Sequence, residues 1–267
     1  MKKNKLEGKV AVISGGDSGI GFAIAKRLKA EGVTLYNISL KEGDKEVFEK
    51  SYVCDLSKDD QLVETCEKLF TDAEKIDFLF CNAGFGIAGL VENASIESID
   101  KIMRVNLLAH MKMTKMFIPH LNENGKILFT ASLATILPLP YQACYSASKA
   151  GILSFARALR TELKQKKIHV TTFLPTDTKT GFTDARIKET GNDEKEKHSI
   201  VSMEKEERNG KDPDYIAKKV MKLIKKKKPP YCKLCGGYGP LPGWLLQFLV
   251  KILPTSFVDW LIYKIYI

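Results

Sequence analysis

The chain alternates between short, uniformly apolar runs and longer stretches in which apolar residues recur every three or four positions. Residues 9–14 (KVAVIS) are mostly β-branched or small and stop at glycines, the pattern of a strand buried on both faces. Residues 18–31 then place Ile20, Ala23, Ile24 and Leu28 at helical spacing and end at Gly32. Residues 33–38, 51–54, 76–81, 126–130 and 169–174 read as further strands, with helical stretches between most of them and a last strand expected near Tyr231. Asp212-Pro213-Asp214 reads as a helix start, with Asp212 as cap and proline in the first turn.

Strands alternating with helices imply an α/β fold, a doubly wound parallel sheet of Rossmann type with helices on both faces. Such sheets bind ligands beyond the carboxyl ends of their strands. In this chain those ends carry Gly15, Asp55, Asn82-Ala83-Gly84, Ser132 and Pro175.

Length and composition narrow the picture. The 267 residues suffice for a single α/β domain with appendages, and 44% apolar with 28% charged residues is a globular composition. The chain divides into a catalytic domain over residues 1–239, with a polar lid over about 176–211, and an apolar helical extension over 240–267. A net charge of +10 suits an anionic partner: nucleic acid, a membrane surface or a phosphorylated cofactor. Lys2, Lys3, Lys5 and the lysines at 225–228 read as a solvated terminus and a solvated helix end. No aromatic residues interleave with them, so nucleic-acid binding is not expected. The first residues include no apolar stretch of signal-peptide length, which points to the cytoplasm, where the six cysteines would be thiols. Cys232 and Cys235 form a lone CxxC with neither a second pair nor nearby histidines, so no metal site is expected.

Two motifs carry chemistry. In Ser14-Gly15-Gly16-Asp17-Ser18-Gly19-Ile20-Gly21, glycines let the backbone turn tightly against a pyrophosphate, and the following helix offers free N–H groups and the positive end of its dipole. The spacing differs from G-x-G-x-x-G, with three residues between Gly15 and Gly19 and one before Gly21. In Tyr145-Ser146-Ala147-Ser148-Lys149, which opens a helical stretch, Tyr145 and Lys149 share one face, and an ammonium there is expected to lower the phenol's pKa toward a value useful for proton transfer.

With Asn82-Ala83-Gly84, Asn106 and Ser132, these motifs stand in the order and approximate spacing of the short-chain dehydrogenase/reductase family, which the chain resembles over roughly residues 6–237. The resemblance implies NAD(P)-dependent interconversion of a carbonyl and a secondary alcohol. Tyr145 would be the general acid/base, and Lys149 would lower its pKa and hold the nicotinamide ribose. Ser132 would bind the substrate oxygen, and Asn106 would keep a water in the proton relay. Gly15, Asp17, Ser18, Gly19, Ile20 and Gly21 would hold the phosphates, Asp55 and Leu56 would contact the adenine, and Asn82, Ala83 and Gly84 would shape the cofactor cleft. The family's Pro-Gly after the sixth strand is Pro175-Thr176 here, with Thr178 and Thr180 beyond as the candidates for the carboxamide contact.

At the end of the second strand stands Ser39, followed by Leu40 and Lys41, with no acid to repel a 2′-phosphate, which favours NADP(H) over NAD(H); Asp17 in the phosphate turn counts mildly against it. The extension is strongly apolar, carries Trp244 and Trp260, and is broken by Pro254, so it reads as two short amphipathic helices rather than a membrane span. They would close the substrate pocket, pack on a second subunit, or rest on a bilayer surface. A homodimer or homotetramer follows from the resemblance, and a hydrophobic substrate (a steroid, a fatty acyl ketone or another lipid-like carbonyl) from the apolar tail. The alternative is a catalytically silent nucleotide sensor or scaffold; such relatives usually lack the tyrosine or lysine that this chain retains.

Overall fold

A computed structural model describes residues 6–238, 241–242, 245, 248–249 and 252–266. The chain runs β1 (Val10–Ser14), α1 (Gly19–Lys29), β2 (Thr34–Ser39), β3 (Lys50–Val53), α2 (Asp59–Asp72) and β4 (Ile76–Cys81). After the short β5 (Ile87–Ala88) come α3 (Ile96–Met103), a π turn (Arg104–Leu108), α4 (Ala109–Phe117), β6 (Leu121–Thr130), α5 (Ala143–Glu162) and β7 (His169–Pro175). The last third holds β8 (Ile187–Lys188), α6 (Glu194–Arg208), α7 (Pro213–Ile224), β9 (Cys232–Cys235), β10 (Gly237–Tyr238), β11 (Leu241–Pro242) and α8 (Thr255–Tyr266).

Seven strands form one parallel sheet in the order β3-β2-β1-β4-β6-β7-β9. Successive strand residues point to opposite faces, so each strand feeds two cores. Val12, Leu79, Ile127 and Phe129 pack on the α2, α4 and α5 side, while Ala11, Ile13, Phe80 and Leu128 pack under α1 and α7. Strand order reverses between β1 and β4, the switch point at which such sheets open a crevice.

Two elements depart from the sequence reading, while β2 ends at Ser39, the residue read at that strand end. β6 starts five residues before the expected run, because Leu121 pairs with Ile76 ahead of a register shift filled by polar Asn122 to Gly125. Most instructively, the polar stretch read as a mobile lid, with little apolar periodicity, contains α6. Asp193 caps that helix by accepting from the Lys195 N–H, and Ile200 and Met203 pack with Ala88. Fully buried Glu196 accepts from the Leu90 and Gly191 N–H groups, a buried acid serving as an anchor that a hydrophobic pattern does not reveal.

The helix expected at Asp212 forms as α7, with Asp212 accepting from the Asp214 N–H. Of the two expected tail helices, α8 starts immediately after Pro254, while the first, and Trp244 with it, falls largely outside the described residues. Among the described residues no helix is long and apolar enough to cross a membrane.

Candidate active site

A cleft of about 610 Å³ opens along the carboxyl ends of the strands. Every sequence-predicted site residue lines it except Gly21 and Asn106, which stand directly behind its wall.

One end is built from backbone. Gly15 and Gly19 have φ of +65° and +54°, a region costly for other residues, and a Cβ on Gly15 would lie 2.9 Å from the Ala83 Cα. Gly21 has a packing role instead: a Cβ there would lie 2.1 Å from the Gly15 carbonyl oxygen, so it lets α1 press against the turn. Ser18 precedes α1 in an extended conformation with no side-chain capping bond, which leaves the first N–H groups of the helix turned toward the cleft.

Two buried polar residues that the sequence reading passed over hold this turn. Asn37, fully buried in β2, accepts from the Gly16 N–H (2.9 Å) and the Ser39 hydroxyl (3.0 Å). The Ser14 hydroxyl accepts from the N–H groups of Asn82 (2.9 Å) and Ala83 (3.2 Å). The signal was a polar residue set among the buried positions of each strand; burial obliges such a group to find a partner. Beyond them, Ser39 is buried while Leu40 and Lys41 line the cleft from exposed positions. Asp55 accepts from the Ser57 N–H and hydroxyl.

Asn82 joins this end to the wall formed by Ser132, Tyr145 and Lys149. Its amide donates to the Gly15 carbonyl (3.0 Å), its oxygen accepts from the Thr130 hydroxyl (2.9 Å), and the Thr130 carbonyl accepts from Lys149 Nζ (3.0 Å). Ser132 caps a short 3₁₀ turn with its Oγ accepting from the Ala134 N–H, and it also hydrogen-bonds the Tyr145 hydroxyl. Ser132, Tyr145 and Lys149 therefore converge on one wall.

Their electrostatics differ from the expected pairing. Burial pushes the Tyr145 phenol up to about 12, the Ser132 hydrogen bond opposing it, and burial pulls Lys149 down to about 8. The ammonium was expected to lower the phenol, but Nζ lies 6.0 Å from the tyrosine ring centroid and is directed to the Thr130 carbonyl, so desolvation dominates both groups.

Asn106 lies fully buried in the π turn. Its Nδ2 donates to the Phe85 carbonyl and the Ser148 hydroxyl, and its Oδ1 accepts from the Phe85 N–H. The side chain thus clamps the loop after Asn82-Ala83-Gly84, and any part in a relay falls to its backbone.

The opposite end of the cleft is apolar, lined by Phe85, Leu137, Leu139, Phe182, Ile187 and Met203. It is roofed by an ionic clamp unseen in the sequence: buried Arg186 pairs with Glu207 and Glu204, and its guanidinium lies 5.6 Å from the centre of the Phe182 ring. Phe182 in turn lies 5.6 Å from the ring of Tyr145. Asp177 lines the same end and is raised to about 6 by burial and by Glu207 and Glu206.

Comparison with known proteins gives the family and the fold. A family model described as short chain dehydrogenase matches residues 9–191. A 3-ketodihydrosphingosine reductase of Bacteroides thetaiotaomicron is 31% identical over 234 residues, 85% of this chain and 87% of that protein. A 3-oxoacyl-[acyl-carrier-protein] reductase of Thermotoga maritima is 33% identical over 183 residues, 64% of this chain and 74% of that protein. Among solved structures, a 3-ketoacyl-(acyl-carrier-protein) reductase of Brucella melitensis complexed with NADH superposes with a TM-score of 0.73 at 28% identity, covering 86% of this chain and 97% of that one.

Proposed function

The chain belongs to the short-chain dehydrogenase family, and from that membership we propose that it interconverts a ketone and a secondary alcohol on a lipid-like substrate, using NADP(H) in preference to NAD(H). The observation that carries the reading is the convergence of Ser132, Tyr145 and Lys149 on the cleft whose other end is a glycine turn under a helix N-terminus.

The residues fit a dinucleotide. Gly15 and Gly19 leave the space a Cβ would fill, the uncapped start of α1 offers N–H donors to phosphates, and Ser39 with Lys41 leaves the strand end open to a 2′-phosphate. The bound nicotinamide would supply or accept the hydride. Tyr145 would give its proton to the forming alkoxide, Ser132 would hold the same oxygen, and Lys149, charged below about pH 8, would favour loss of the tyrosine proton. Asp55 and Leu56 would flank the adenine, Asn82, Ala83 and Gly84 the ribose side, and Pro175, Thr178 and Thr180 the carboxamide side.

The lipid-like substrate is supported by the apolar end of the cleft and by two relatives named as reductases of a keto or oxoacyl compound. A homodimer or homotetramer rests on the resemblance. Contact of the tail with a bilayer surface is supported by α8, which exposes Phe257, Trp260 and Tyr263 while burying Ile262.

The test is oxidation of NADPH and NADH by the purified protein against steroid, fatty acyl and small ketones, with Tyr145→Phe as control. Turnover with NADPH on long-chain ketones that vanishes in Tyr145→Phe is expected. Cofactor binding without turnover on any ketone would favour the silent scaffold instead, and a strong NADH preference would reject the cofactor assignment.

A further inference from the structure

The apolar end of the cleft carries acceptors that the protein leaves without donors. Asp177, in the loop after β7, lines the cleft, and among the described residues its carboxyl makes no hydrogen bond or ion pair with another side chain. Partial burial, with the charges of Glu207 and Glu206, raises it to about 6, and the cation it feels, Arg186, is already shared by Glu204 and Glu207. Glu206 lines the same cleft from an exposed position, also without an ion pair among the described residues. Glu206 and Glu207 fall in the last turn of α6, where the helix dipole itself favours a cation. Gln142 supplies an independent observation. It is 5% exposed, it lines the cleft, its Nε2 is directed to the Met203 Sδ, and its Oε1 accepts no hydrogen bond among the described residues. A side chain so deeply buried, with an acceptor facing a cleft and no donor, points to a ligand that brings one.

These acceptors stand close to Tyr145. Gln142 caps α5, its carbonyl accepting from the Ser146 N–H (2.8 Å), and Tyr145 follows in the first turn, so the two lie about one helical turn apart. Phe182, 5.6 Å from the Tyr145 ring, is followed by Thr183, whose hydroxyl donates to Glu207 (2.8 Å). We propose that Asp177, with Gln142 as second acceptor, binds a cationic amine, so that the substrate is a lipid-like ketone carrying a protonated amine within a few bonds of its carbonyl. The inference rests on the reading of this cleft as that of a ketone reductase, and it names the substrate class. An ammonium has three donors and no acceptor, the complement of this set of groups. A neutral ketone seated here would desolvate Asp177 further and give it no partner, whereas an ammonium exchanges that penalty for a charge-assisted hydrogen bond. Leu139, Phe182 and Met203 receive the chain.

The test uses the full-length protein with NADPH and two long-chain ketones that differ only at the carbon next to the carbonyl, one carrying a primary amine there and the other a hydroxyl. Wild type is expected to favour the amine in kcat/KM about thirtyfold, and Asp177→Asn, which removes the charge at nearly constant volume, to bring the two within about threefold of each other. Gln142→Leu should reduce the preference about fivefold through the lost acceptor. Equal kcat/KM for the two ketones in wild type, or a preference that Asp177→Asn leaves intact, would overturn the proposal while leaving ketone reduction standing. Binding of decylamine and decanol to the protein–NADPH complex, followed by calorimetry, needs no turnover. Decylamine should bind about tenfold tighter than decanol in wild type and no tighter in Asp177→Asn. Equal affinity in wild type would overturn the amine site, whereas an Asp177-dependent preference for decylamine without turnover of any ketone would keep that site and reject the reductase reading.

Discussion

Lys149 Nζ donates to the Thr130 carbonyl at 3.0 Å, fixing a nearly inaccessible ammonium to the end of the central strand of the cleft. The same threonine reaches back through Asn82 to Gly15, so one polar chain sets the distance between the glycine turn and the wall that carries Lys149. Burial makes that charge costly, which is why its pKa falls to about 8.

Removing that charge should stabilise the fold while abolishing activity. The folded pKa of Lys149, about 8, lies below its ordinary 10.5, so the fold penalises the ammonium; the penalty is complete below about pH 8 and fades as pH rises toward 10.5. Lys149→Met should therefore raise stability at pH 7 by about 1–2 kcal/mol, after the lost Thr130 hydrogen bond, and cut kcat at least about a hundredfold. Thermal melts at pH 7 and pH 10 check this. The gap between variant and wild type should shrink at the higher pH, and a variant that melts below wild type at pH 7 contradicts the argument.

The same pKa sets a rate profile. Lys149 discharges as pH rises through about 8, while the phenol, pushed up to about 12, stays protonated. On the proposed mechanism the ammonium assists loss of the tyrosine proton once cofactor and substrate are bound, so kcat for ketone reduction should decline above about pH 8 with a single ionisation. A kcat that is flat from pH 7 to 10 would separate Lys149 from the proton transfer.

The sheet, its order of elements and nearly all of the cleft lining were legible because β-branched runs, glycine stops and helical spacing are local signals. The fine placement of Asn37, Ser14 and Arg186 was not. Each is a polar residue whose partner lies more than twenty residues away or is a backbone group; the folded register of β1, β2 and β4 shows what Asn37 and Ser14 hold, and the docking of α6 shows what Arg186 holds. α6 was missed for a related reason: its buried face includes Glu196, Ser199 and Glu204, which a search for apolar periodicity counts as solvent-facing. The Tyr145–Lys149 spacing was read correctly, but spacing says nothing about desolvation, which sets both pKa values.

The Arg186 clamp should govern access to the apolar end. Arg186→Met keeps the stem and leaves Glu204 and Glu207 without their shared cation, a loss of about 3 kcal/mol where a buried pair is broken. Because Phe182 is held between Arg186 and Tyr145, KM for a long-chain ketone should rise about tenfold with a smaller change in kcat. Faster proteolysis within α6 should accompany it. Unaltered KM and proteolysis would mean that the clamp is not what seats Phe182.

Asp177 makes the same region pH-sensitive. Its carboxyl is raised to about 6 from 3.8 because it is partly desolvated and feels the charges of Glu207 and Glu206, with Arg186 only partly compensating. A raised folded pKa in an acid means that the fold disfavours the carboxylate. The penalty is absent below about pH 4, grows between pH 4 and 6, and is complete above 6. Asp177→Asn should thus stabilise the segment from Asp177 to α6 by about 1 kcal/mol at pH 7.5, a figure reduced for solvent screening, and by nothing at pH 4. Amide hydrogen exchange along α6 reads this directly: protection in the wild type should fall between pH 4 and 6 after correction for intrinsic exchange, whereas the variant should be flat. If wild type and Asp177→Asn trace parallel curves, Asp177 does not set the pH response of α6.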